Sequence, residues 1–248
     1  MTTAKKNKTV IAICIQEPSE DGSSMDLGAI QGDELRFLHQ AFITDTIGHA
    51  LETPGCDVQL YYIDQPDRRR LVEIVTAYIS KKLSGKEATA FKKRFQSFKL
   101  KKDSWGVRLK SVFSNCFKAG YEQVLVIGSR TPTVHAPKLK MAIKMLSKGD
   151  AVFGPTPEGR YYVIGMSKGT KIDLAEFDWK SPTIYSSVSE TFSTKGLAWS
   201  ELEIWYCVES PDELELMVRD INQYRFEGDD TSARETEVVM ERILAKLG

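Results

Sequence analysis

The 248-residue chain has no net charge to offer a polyanion: Lys and Arg together number 34, and so do Asp and Glu. That balance removes the whole-molecule field on which nucleic-acid and anionic-membrane binders rely. Neither is therefore expected as the main partner, and any phosphate recognition must be local. No segment approaches the roughly 20 consecutive apolar residues that cross a bilayer. The apolar stretch from Val10 to Ile15 follows lysines, but it is shorter than a secretion-signal core and has no small-residue cleavage pattern. It points instead to the first strand of a cytoplasmic protein. Cysteine is scarce: Cys14, Cys56, Cys116 and Cys207 are far apart, form no CxxC pair and sit mostly in apolar runs, as reduced core thiols do. The three histidines, His39, His49 and His135, lack metal-ligand spacing, and helical surface or cap positions account for them. No Walker-type phosphate loop, nucleophile elbow or internal repeat is present, so nothing supports a P-loop enzyme or a serine hydrolase.

What is there is ordinary globular composition, 42% hydrophobic and 27% charged, at a length that suits one large α/β domain over residues 1–248. Residues 9–15 read as a buried strand, and residues 16–32, rich in Pro, Ser, Gly and acid, as a loop leaving its carboxyl end. Leu35, Leu38, Phe42, Ile43, Ile47 and Leu51 share one face of a helix over 33–51. Pro54-Gly55 stops that helix before a strand at 58–63, completing a βαβ unit. Further helices are expected at 67–83, 105–119, 184–195, 211–224 and 232–247, with another opened by His135-Ala136-Pro137. Strands are expected at 124–127, 150–153, 161–166 and 202–207. Alternating elements imply a mainly parallel three-layer sheet, and the tight spacing of 151–154 and 161–166 implies an antiparallel insertion.

One basic stretch, residues 81–102, carries Phe91, Phe95 and Phe98 at helix-like spacing among Lys92, Lys93, Arg94, Lys99, Lys101 and Lys102. It could present a nucleic-acid, membrane or protein-binding face. An amphipathic helix that buries its phenylalanines on the sheet and leaves its charges in water is the reading favoured by the neutral chain.

Two segments point to a ligand site. Val124-Leu125-Val126-Ile127 is an apolar run that ends in Gly128-Ser129-Arg130-Thr131-Pro132, the pattern of a buried parallel strand whose carboxyl end opens into a site. Val152-Phe153-Gly154-Pro155 followed by Glu158-Gly159-Arg160-Tyr161-Tyr162 reads as a strand-loop-strand hairpin facing a bound nucleotide, with a carboxylate at its tip. Its glycines either permit turns or bring backbone close to a phosphate. Tyr161 and Tyr162 alternate across a strand, so one packs inward and the other can face a cleft. Trp179 either stacks on a base or sugar or packs in the core.

These residues stand in an order that resembles the glycosyltransferase-A-like transferases associated with radical-SAM and selenodomain proteins. These are members of the nucleotide-diphospho-sugar transferase superfamily related to the molybdenum-cofactor and phospholactate nucleotidyltransferases. Asp103-Ser104-Trp105-Gly106-Val107-Arg108-Leu109 resembles the family's D-L-G-x-R-M, and Ile127-Gly128-Ser129-Arg130-Thr131-Pro132 resembles its I-G-S-D-x-P. Asp150 to Pro155, Glu158 to Gly165 and Trp179-Lys180-Ser181 resemble D-V-V-L-G-P, D-G-G-Y-Y-L-I-G and W-S-T, and Cys207 to Leu214 resembles D-V-D-T-P-E-D-L. The likeness runs from about Asp103 onward and is weaker before it. It implies a Rossmann-like glycosyltransferase-A fold with a nucleotide over the carboxyl ends of the strands. It further implies a nucleotide or nucleotide-sugar donor, and glycosyl or nucleotidyl transfer to a small-molecule acceptor.

The departures from the family pattern bear on mechanism. The acid that would hold a divalent cation, Mg²⁺ or Mn²⁺, is Arg130 here; the D-G-G-Y acid is Glu158, its middle glycine is Arg160, and the late D-x-D is Cys207-x-Glu209. Hard cations prefer carboxylate and phosphate oxygens, so a guanidinium among them implies a degenerate metal site near Arg130, Glu158 and Glu209. The family's basic first-loop signature is also replaced, by the acidic Gln16-Glu17-Pro18-Ser19-Glu20-Asp21. Two readings follow. Arg130 and Arg160 take over the cation's work by gripping phosphate with planar forks. Glu158 then serves as base or sugar anchor, Ser129, Thr131, Gly159, Arg160, Tyr161 and Trp179 line the donor, and Lys180 and Ser181 lie by the acceptor. Alternatively chemistry is lost and a ligand- or partner-binding protein remains. In either case Arg130 could pair with Glu158 or Glu209 across the old site.

Overall fold

The computed structural model describes residues 7–15 and 25–247, so the acidic segment 16–21 lies outside the described residues. The strands are β1 (Thr9–Cys14), β2 (Cys56–Ile63), β3 (Phe95–Leu100), β4 (Gln123–Gly128), β5 (Ala151–Pro155), β6 (Tyr161–Ser167) and β7 (Trp199–Glu201). The helices are α1 (Gly32–Glu52), α2 (Pro66–Lys82), α3 (Gly85–Arg94), α4 (Trp105–Lys118), α5 (Ala136–Leu146), α6 (Ile184–Thr194), α7 (Pro211–Phe226) and α8 (Arg234–Leu247). One sheet runs β3-β2-β1-β4-β6-β5-β7. It is parallel except for β6, which is antiparallel to both β4 and β5.

All six residues of β1 are buried, as expected of a parallel strand covered on both faces. The alternation of its side chains divides the core. Ile11 and Ile13 meet α1, α2 and α5 on one face, while Val10, Ala12 and Cys14 meet α4 and α6 on the other. A third cluster joins α1 to α7 and α8 through Leu38, Phe42, Met217, Ile221 and Ile243. The result is the three-layer mixed α/β architecture with an antiparallel insertion that the pattern predicts.

Two segments depart from expectation. Phe95 and Phe98 do not continue the helix of Phe91: α3 stops at Arg94 and both lie in β3, at the sheet edge. Three residues apart, they would share a face of a helix, but on a strand they point to opposite faces. Phe95 stacks on Phe91 at 4.7 Å and Phe98 stacks on Tyr61 at 5.3 Å. Pairing with β2 decides the outcome, because it satisfies backbone groups that the short helix could not. Exposed Lys99 sits on this edge strand, as charges on free edges commonly do. Residues 202–207, expected as a strand, are irregular, and the strand here is the three-residue β7 just before them. Leu202 and Trp205 still donate backbone hydrogen bonds to Phe153 and Pro155, at 2.9 and 3.1 Å, but the ladder with β5 ends at Glu201, and Pro155 has no N–H to extend it. His39 and His49, expected on helix surfaces, are buried on α1.

The start of α8 is held by a side chain of α1. The buried Asp45 carboxylate accepts from the backbone N–H groups of Glu235 (3.1 Å) and Thr236 (2.8 Å), two donors that a helix leaves unsatisfied at its first turn. Asp45→Ala is expected to lower stability in urea unfolding by about 1–2 kcal/mol, the range for loss of a side-chain cap.

Candidate functional site

Parallel register sets Cys14 of β1 opposite Gly128 of β4, so the carboxyl ends of both strands meet at one edge of the sheet. Because β6 runs the other way, with Val163 opposite Ile127, its amino end and the hairpin before it reach that same edge. The connections from β1 and β4 leave in opposite directions, and ligands of open α/β sheets bind at such a divergence.

The hairpin is fixed by its own hydrogen bonds. Gly159 N–H donates to the Thr156 carbonyl (3.1 Å), Thr156 N–H to the Arg160 carbonyl (3.1 Å), and Arg160 N–H to Thr156 Oγ1 (3.3 Å). Gly159 has φ +72°, and a Cβ there would lie 2.2 Å from the Pro182 carbonyl oxygen, so only glycine fits. Its own carbonyl accepts from Tyr185 N–H at 3.0 Å, which ties the turn to the start of α6.

Arg130 follows the end of β4 and points inward, with 1% of its side chain exposed. Its Nη1 donates to Glu209 Oε1 at 2.9 Å, while Arg160 Nη1 donates to Oε2 of the same carboxylate at 3.2 Å. Of the two partners left open for Arg130, the ion pair is with Glu209. The backbone fixes Glu209 in turn. Val208 N–H donates to the Arg130 carbonyl (2.8 Å), Asp26 N–H donates to the Glu209 carbonyl (2.8 Å), and Glu213 accepts Ser210 N–H (2.7 Å) where α7 begins.

Behind this triad, His39 Nε2 lies 3.0 Å from Ser129 Oγ. Burial first, and the Arg130 charge second, hold its pKa down to about 3, so the ring is neutral near neutral pH. Sequence reasoning missed this residue, although its position one turn after Leu35 and three residues before Phe42 places it on the apolar face of α1.

A cavity of about 100 Å³ opens in front of the triad, lined by Trp105, Thr156, Glu158, Arg160, Tyr161, Trp179, Cys207 and Glu209. The residues expected at the site therefore divide. Glu158, Arg160, Tyr161 and Trp179 line the cavity. Ser129 and Thr131 are fully buried and brace the loop, Thr131 through a hydrogen bond to the Gly128 carbonyl (3.2 Å). Lys180 is exposed and Ser181 bonds to Thr183, and neither lines the cavity. Trp179 is 5% exposed, with its indole N–H on the Leu174 carbonyl (2.6 Å) and its ring edge-on to Tyr161 at 5.2 Å. It sits so close to α4 that a Cβ on Gly106 would come within 2.8 Å of the indole nitrogen. Trp105 donates its indole N–H to the Tyr161 hydroxyl. Cys207 lines the cavity, but burial raises its pKa beyond the ordinary thiol range, so it stays protonated and is no nucleophile.

Among the described residues no three His, Cys, Asp or Glu side chains converge as metal ligands. Glu209 has a guanidinium on each oxygen, and a third positive charge there would be repelled, so this donor set does not fit a divalent cation. A larger cavity, about 590 Å³, lies elsewhere, between α1 and α8, lined by Phe37, Ala41, Val239 and Ile243. Size alone does not make it the site, since its glutamates already pair, Glu34 with Lys246 beside it and Glu235 with Lys82.

Residues 49–181, more than half of the chain, match a family described as an uncharacterized protein conserved in bacteria, DUF2064. The chain belongs to the DUF2064 family. No curated protein is significantly similar to it in sequence. Among solved structures, this DUF2064 protein is similar to a proposed nucleotide-diphospho-sugar transferase from Desulfovibrio desulfuricans G20, at TM-score 0.70 and 21% identity over 95% of this chain and 97% of the other. It is also similar to a 4-diphosphocytidyl-2C-methyl-D-erythritol synthase from Anaerococcus prevotii DSM 20548, at TM-score 0.50 and 10% identity over 86% and 95% of the two chains. At these identities the likeness establishes the nucleotide-diphospho-sugar transferase fold. No described helix of this DUF2064 chain is long and apolar enough to cross a membrane.

The buried histidine makes stability depend on acid. An unfolded chain takes up a proton on His39 below about pH 6.5 and the folded one does not, so the contribution is whole above that pH and is lost as pH falls toward 3. Linkage gives about 1.4 kcal/mol per pH unit. Between pH 7 and pH 5, His39→Gln is expected to lose about 2 kcal/mol less stability than wild type in urea unfolding.

Proposed function

We propose that this protein is a cytoplasmic nucleotide- or nucleotide-sugar-binding transferase, moving a glycosyl or nucleotidyl group to a small-molecule acceptor. We place it within the radical-SAM and selenodomain-associated type, as one domain. The observation that carries the reading is the guanidinium pair on Glu209 at the carboxyl edge of β1 and β4, where the fold's ligands lie. The leaving group, an NDP in glycosyl transfer or pyrophosphate in nucleotidyl transfer, develops negative charge as its bond to the transferred group breaks, and a guanidinium positioned at the cavity, that of Arg160, stabilises that charge. The donor set supports cation-independent stabilisation. The exposed Glu158 carboxylate, at the cavity mouth, is the proposed base for the acceptor hydroxyl or the anchor of a sugar hydroxyl. The cavity holds a group about the size of a phosphate, and the base and sugar would lie along the open edge of the sheet.

Calorimetric titration with ADP, GDP, CDP, UDP and their sugar derivatives, once with Mg²⁺ and once with a chelator, tests this. Binding to at least one nucleotide in chelator is expected, with product formed from a donor and acceptor panel and turnover reduced on Glu158→Gln. Binding that requires Mg²⁺ would overturn the cation-independent reading, and binding without turnover on any donor would favour a ligand-binding protein that has lost its chemistry.

A further inference from the structure

We infer that the two arginines have different roles: Arg160 touches the anionic part of the ligand, while Arg130, acting through Glu209, is a positioning residue. This rests on the nucleotide reading above. Arg130 is 1% exposed and does not line the cavity, so it cannot reach a ligand without unfolding its surroundings. Arg160 is 28% exposed and lines the cavity. Its guanidinium has five N–H donors, and Glu209 takes one of them from Nη1. The others are available to phosphate oxygens without any contact being broken.

The backbone of each partner sits where the division of roles requires it. Glu209 is held by its own main chain, whose carbonyl accepts from Asp26 N–H and whose N–H donates to Glu213 Oε2 at 3.4 Å. Arg160 stands on a turn that Gly159 and Thr156 lock. A carboxylate that could swing would follow the stronger charge and draw Arg160 away from the cavity. One pinned by Arg130 from behind instead presents its second oxygen at a fixed point and aims the Arg160 fork outward. Arg130 also keeps Glu209 from competing fully with the ligand, because half of the carboxylate already faces a buried cation.

The test uses the full chain, the four nucleoside diphosphates in chelator, and three variants whose folding is checked by circular dichroism. Arg160→Ala is expected to weaken the tightest nucleoside diphosphate by 10-fold or more, in the range for losing charge-assisted hydrogen bonds. Millimolar guanidinium in solution should restore part of that binding, since the vacated space is open to the cavity. Arg130→Lys, which keeps a cation on Glu209, is expected to stay within about 3-fold of wild type, and Arg130→Ala to weaken binding with no rescue by guanidinium. Unchanged affinity in Arg160→Ala overturns the assignment. So does a folded Arg130→Lys that loses as much binding as Arg160→Ala, or rescue of Arg130→Ala by guanidinium. Wild type that binds none of the four nucleotides overturns the nucleotide reading itself and this assignment with it, a result distinct from a wild type that binds while Arg160→Ala matches it.

Discussion

Arg130 lies almost wholly out of water, and a guanidinium so placed is tolerable only with an anion in hydrogen-bond reach, because desolvating either ion alone costs several kcal/mol. Glu209 supplies that anion, and its second oxygen is what Arg160 meets. The end of β4, the segment entering α7 and the hairpin before β6 are thus three pieces of chain far apart in sequence that one carboxylate holds together. The backbone bonds from Val208 to Arg130 and from Asp26 to Glu209 are consistent with this arrangement, since they place the carboxylate before any side chain contributes.

The convergence depends on one strand running backward. Had β6 been parallel to β4, residues 158–161 would have emerged at the opposite edge of the sheet, away from Gly128 and Arg130. The antiparallel register brings Tyr161 to the edge where β1 and β4 end, and Arg160 one residue outside the ladder is then free to turn toward Glu209. The packing of Tyr161 on Phe153 and Trp179, and the hydrogen bond it accepts from Trp105, hold that end of β6. A short loop between β5 and β6, closed by Gly159, fixes both the reversal and the position of the guanidinium.

Much of this was legible in the chain because two signals agree along most of it. The strands at β1 and β4 are continuous apolar runs ending in small residues, α4 carries a clear apolar face, and α1 and α4 both have stop residues beyond them. Where the signals separate, reading by pattern fails for identifiable reasons. Phe91, Phe95 and Phe98 fit helical spacing, but the strand partner that draws Phe95 and Phe98 into β3 is more than 30 residues earlier in the chain and leaves no local mark. Leu202 to Cys207 has strand-like residues, yet its neighbour ends in Pro155, which has no N–H to continue the ladder. At the site, the residue types that line the cavity were visible in the motifs, whereas burial was not. Nothing local separates the buried Arg130 from the half-exposed Arg160, and although spacing from Leu35 and Phe42 puts His39 on the apolar face of α1, its partner Ser129 lies 90 residues away.

An internal ion pair and a carboxylate cage answer the same electrostatic problem at this edge in incompatible ways. A cage needs several carboxylate oxygens unoccupied and turned toward one point. Here each Glu209 oxygen carries a guanidinium, and Glu213 is engaged with the backbone of Ser210. Of the three glutamates at the cavity, Glu158 alone is exposed. One exposed carboxylate and one half-exposed guanidinium, carried two residues apart on the same locked turn, are the charged groups that the open cavity turns toward solvent. The chemistry proposed above would be built on those two groups, with Arg130 and Glu209 beneath them.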